Sequence, residues 1–183
     1  MLLAIFLLGG CQLSYNEAEL VWLALLEPSE DIAESLIAAV DETELDYVDQ
    51  GEDPPSVIDV ENLSLSSGAG WEGLIALSGS KTIESGIDVY TINAQFTDVY
   101  VLAQDVTING TPEIQMTDEL DLTDHQSWNR SSRFSNRLEA DGDAQGWAEC
   151  DFSTTLKFAA ETGQFTRTAE GSFAGHDVSQ FID

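Results

Sequence analysis

The chain has 183 residues, 43% of them apolar, which is enough for one domain with a core of ordinary size. Its 34 acids stand against 6 bases, a formal net charge of −28. Such a surface repels nucleic-acid phosphates and anionic lipid headgroups, so both are excluded as electrostatic partners and any membrane attachment must come from a covalent lipid.

The chain opens with an apolar run, Met1 to Leu8, closed by Gly9 and Gly10. It is far short of the ~20 residues that a bilayer-spanning helix needs, and it has the shape of a secretory signal. Leu8-Gly9-Gly10-Cys11 resembles the lipobox of bacterial lipoproteins. That resemblance implies a signal peptide over residues 1–10 and a mature chain starting at Cys11. The Cys11 thiol and the new amino terminus would both carry acyl chains such as palmitate. Two or more chains give stable anchoring where one does not. Gln12 stands where an aspartate would signal inner-membrane retention, which points to the outer membrane of the cell envelope. One departure is the absence of Lys or Arg ahead of the apolar run. With Cys11 acylated, Cys150 has no partner for a disulfide, although an envelope compartment would permit one.

Charge is unevenly spread. Residues 1–66 carry 15 acids and no Lys or Arg, and all 6 bases follow. Over residues 11–40 the apolar spacing predicts two short amphipathic helices. Asn16 is the expected N-cap of the first, with Glu19 three residues on, and Leu20, Trp22, Leu23 and Leu26 mark its stripe, widened by Val21 and Leu25. Pro28 is expected to end it. Ser29 would cap the second helix, in which Ile32, Leu36, Ile37 and Val40 keep helical spacing. Residues 41–56 run acidic without a base and end in Pro54-Pro55, the composition of a self-repelling linker.

From about residue 57 to 183 the pattern changes to an antiparallel β meander of about eight strands. A sandwich, a barrel and a curved sheet all fit it. Turn signals fall at Ser78-Gly79, Ser85-Gly86, Asn109-Gly110, Asp141-Gly142 and Thr162-Gly163. Alternation through Tyr90, Ile92, Ala94 and Phe96 slips at Asp98 and resumes at Val99 and Val101, which predicts a β-bulge. Ala148, Cys150, Phe152, Thr154, Leu156 and Phe158 share one face of a long strand, so Cys150 reads as core. The stretches GSKTIESGIDVYTINAQFTDVYV, VTING, AECDFSTTLKF and GSFAGHDVSQF are loosely similar to uncharacterised β-rich envelope lipoproteins of predatory and marine bacteria. That resemblance implies no activity and no site residues.

Signals for catalysis are sparse. His125 and His176 lack a zinc-ligand spacing, and neither a nucleophile elbow nor a phosphate loop is present. Asp141, Asp143, Gln145, Gly146 and Glu149 match positions 1, 3, 5, 6 and 9 of a calcium loop, but Phe152 stands where a bidentate glutamate belongs. Arg133 and Arg137 share a strand face, a pattern that fits an anion site or pairing with neighbouring carboxylates. The expectation is a lipid-anchored, non-enzymatic binding or structural domain, with calcium as the one cofactor to test. The alternative is a carrier of an apolar ligand held in a β cavity under the helices. An envelope protein or an apolar ligand are the partners expected beyond the membrane.

Overall fold

A computed structural model describes residues 12–84, 87–120 and 126–182. The fold is mainly β, as the patterning predicts: a nine-stranded antiparallel sheet with one N-terminal helix.

Helix α1 runs unbroken over Tyr15–Asp49, which corrects both the expectation of two helices and that of a linker starting at residue 41. Pro28 lies inside it and is buried. An internal proline removes a hydrogen bond and costs about 3 kcal/mol. The helix survives because Ala18, Val21, Trp22, Leu25, Pro28, Ile32, Leu36 and Val40 form one buried stripe that stays in phase across the proline. Ser29 caps nothing; its hydroxyl donates to the Leu25 carbonyl at 2.5 Å. The stripe is also rotated from the expected one: Leu23 is exposed, while Ala18 and Ala24 are buried and let the backbone approach the sheet. Ser14 is the N-cap, two residues earlier than expected, and its N–H and hydroxyl both donate to the Glu17 carboxylate. Beyond residue 41 the helix continues because adding a residue to an existing helix is cheap. It stops at Gly51, whose φ of 76° suits glycine. There Gly51 N–H donates to the Val48 carbonyl and Glu52 N–H to that of Tyr47, a Schellman closure.

The strands are β1 (Val57–Gly68), β2 (Trp71–Glu84), β3 (Ile87–Val101), β4 (Val106–Gly110), β5 (Glu113–Leu120), β6 (Trp128–Gly142), β7 (Gly146–Ala159), β8 (Gln164–Phe173) and the stub β9 (His176–Asp177). β4 and β5 lie end to end in one lane between β3 and β6. Asn109-Gly110 is therefore no hairpin: Gly110 stays in the ladder, opposite Phe96 and Leu138. Pro112, which has no N–H, interrupts that lane instead. Ser78-Gly79 is mid-strand as well, and a side chain at Gly79 would meet the Thr91 carbonyl at 2.6 Å and Leu36 at 3.2 Å. Ser85-Gly86 lies outside the described residues. The slip at Asp98 is present: its φ is 49°, and the register with both β2 and β4 shifts around it.

Of the three β architectures the chain adopts an open curved sheet. Glu30 pairs with Arg167 on β8, while the adjacent Asp31 accepts a hydrogen bond from the Trp71 indole on β2 at 2.6 Å. Those strands are five lanes apart, roughly 24 Å in a flat sheet. Only a sheet curled around α1 brings both to neighbouring residues. Trp22, Trp71, Phe134, Phe152, Phe173, Leu25, Ile32 and Leu36 fill the concave side.

Candidate functional site

The predicted site residues other than Cys11 fall on described parts of the fold. Cys11 and His125 lie outside the described residues. Asp141 and Asp143 sit in the β6–β7 hairpin. The Asp141 carboxylate accepts from Gly142 N–H at 2.9 Å and from the Gln145 amide at 3.2 Å, so it serves its own turn. Asp143 N–H donates to the Asp105 carbonyl, and Ala144 is buried beneath. Glu149 lies along β7, opposite Arg137. Among the described residues no three His, Cys, Asp or Glu side chains converge as a metal site would require.

Arg133 and Arg137 are engaged separately on the sheet face away from the helix. Arg133 donates to Asp151 at 2.8 Å, while Arg137 lies over the Trp147 ring at 4.6 Å and approaches Glu139 at 3.6 Å. Arg130 points to the opposite, helix-side face, where it pairs with Asp118 at 2.6 Å. Cys150 is 2% exposed, and burial pushes its thiol up to about 12, so it is an inert core group at neutral pH. The His176 ring meets Tyr15 edge-on, and its Nε2 lies 3.4 Å from the Leu13 carbonyl oxygen. It contacts Leu13 and Tyr15, near the beginning of the described residues.

The first described residues are docked on β7. Gln12 forms a parallel bridge with Trp147, Leu13 N–H donates to the Trp147 carbonyl, and Leu13 is 3% exposed. The acidic segment is helical as far as Asp49, with its side chains beyond Val40 exposed or half-buried.

Two further features escape sequence patterning. The first is Lys81, on the helix side of β2, the only buried charged residue among the described ones. It contacts Glu44 of α1 at 2.8 Å and Asp88 of β3 at 3.2 Å. Burial opposes its charge, but the bonds to Glu44 and Asp88 outweigh that and raise its pKa above the ordinary lysine range. Beside it, burial and then the Asp88 charge push Tyr90 up to about 12.

The second is a groove of about 470 Å³ on the sheet face away from the helix, crossing β1 to β6. Pairing is irregular towards both of its ends, while β2 and β3 stay in register between them. Glu61 and Asn62 oppose Ser78 alone in a β1 bulge, and Asn62 has φ 61°. Thr111 and Pro112 break the lane of β4 and β5, and Asn136 of β6, opposite the break, has φ 76°. Asparagine tolerates that left-handed region better than most residues. Asn62, Asn93, Gln95 and Asn136 bring amides to the groove, Ser78 and Thr111 bring hydroxyls, and Glu113 is its one charged lining residue. The hint in the sequence is the run of amide and small polar residues within strands, positions that β-branched residues usually take. No protein-family model, curated protein or solved structure matches the chain.

Proposed function

We propose that this chain is a lipid-anchored, non-enzymatic binding domain of the bacterial envelope, held flush against its membrane by acyl chains on Cys11. The supporting observation is the docking of Gln12 and Leu13 onto Trp147, directly after the lipobox cysteine. Lipid on Cys11 would bring the Trp147 edge of the fold to the bilayer surface, and the outer membrane is the expected address. The second reading, an apolar-ligand carrier, gains little from a concave face already filled by α1 and its aromatic contacts, because loading it would require the helix to leave.

The test is expression of the full chain in a diderm bacterium fed an alkyne-tagged fatty acid. The wild-type chain is expected to take the label and to fractionate with outer membranes. Cys11→Ala is expected to do neither. Equal labelling of the variant would remove the anchor.

A further inference from the structure

The amide-lined groove crosses a molecule in which 22% of residues are charged and the net charge is −28, yet it carries a single carboxylate, Glu113. We propose that it is a binding site for an uncharged glycan. This deepens the binding reading above and is independent of the anchor.

The chemistry of the lining selects the ligand class. Each side-chain amide offers two donors and an acceptor with two lone pairs, and a hydroxyl offers both roles. Asn62, Asn93, Gln95 and Ser78 make no side-chain hydrogen bond to another described residue, so these groups face solvent with their capacity unspent. Asn136 spends one donor on the Thr111 carbonyl at 3.4 Å. A sugar ring presents neighbouring hydroxyls that donate and accept in the same way, and one amide can bridge two of them. Ala76 and Pro112 supply apolar patches for its C–H faces.

Other ligand classes fit less well. An anion would enter against the field of the whole protein. An apolar ligand would bury these amides without partners. A peptide strand binds by extending a sheet edge, whereas this groove lies on the sheet face and runs across the strands. The volume falls within the range of small-molecule sites. Strained backbone concentrates at functional sites, and here left-handed asparagines stand at both ends of the groove.

The experiment is a titration of the full ¹⁵N-labelled chain, in a detergent without a sugar headgroup, followed through side-chain amide signals. The probes are maltotetraose, cellotetraose and chitotetraose, with tetraalanine as the peptide comparison, each taken to about 10 mM, the weak end of specific binding. At least one glycan is expected to shift Asn62, Asn93, Gln95 and Asn136 saturably, leaving Asn16 on the helix unmoved. The pair Asn93→Ala and Gln95→Ala, both on exposed side chains, is expected to weaken that binding about tenfold or more without lowering Tm. Three inert glycans overturn the proposal, as does binding that survives the double variant. A response to tetraalanine alone overturns the glycan assignment while sparing the broader binding reading.

Discussion

Replacing Lys81 by methionine keeps an apolar stem of similar length and removes one charge. In the folded chain this strands two carboxylates, Glu44 with its side chain 28% exposed and Asp88 at 37%. Breaking a fully buried pair costs 3–5 kcal/mol because the remaining charge stays dry. Here both carboxylates keep some water, so the cost falls to about 2 kcal/mol after allowing for screening. In a chain of this size that lowers Tm by roughly 4–8 °C. Urea unfolding of Lys81→Met against the wild type measures it. Two internal checks separate stranded charge from lost packing. Adding Glu44→Gln to Lys81→Met should recover part of the loss, because it removes one of the stranded charges. Raising salt to about 1 M, where the Debye length is near 3 Å, should narrow the gap. A double variant no more stable than Lys81→Met, together with a gap indifferent to salt, would refute the electrostatic account. In the wild type the raised lysine pKa fixes the sign of the pH dependence. The contribution is complete below the ordinary lysine value of 10.5 and is lost as pH rises through the higher folded value.

Other consequences can be measured in the same way. Leu36→Ala empties the site facing Gly79 and is expected to cost about 3 kcal/mol by urea unfolding; a loss under about 1 kcal/mol would show that α1 does not seat there. Pro28→Ala restores a helix N–H and is expected to raise stability by about 1 kcal/mol net of lost burial; a fall in Tm would mean that the ring packing outweighs the helix cost. Cys150 is expected to resist thiol reagents at neutral pH until the protein unfolds. Because its folded pKa, about 12, lies above the ordinary 9.0, its contribution to stability declines as pH rises through that interval; rapid native-state labelling at pH 7 would contradict this. Millimolar calcium is expected to move Tm by less than about 1 °C, since Asp141 already serves its own turn. A larger rise that Asp143→Asn abolishes would restore the loop as a cation site.

The sequence by itself determined what short-range chemistry controls. Period-two alternation placed Ala148, Cys150 and Phe152 on one buried face, and the slip of pattern at Asp98 marked a real bulge. Apolar spacing placed Ile32, Leu36 and Val40 on a buried helical stripe. Tertiary structure decided wherever a local preference met a stronger distant one. Pro28 and the acids after Val40 argue locally for a break and a linker, but a single groove of curved sheet buries the stripe on both sides of the proline, and Lys81 reaches Glu44 beyond it. Asn109-Gly110 carries the local signal of a hairpin, yet β3 and β6 already flank its lane, and staying extended lets it pair with both. The groove was illegible for the same reason. Asn62, Asn93 and Asn136 belong to three strands, and only register across the sheet brings them to one line.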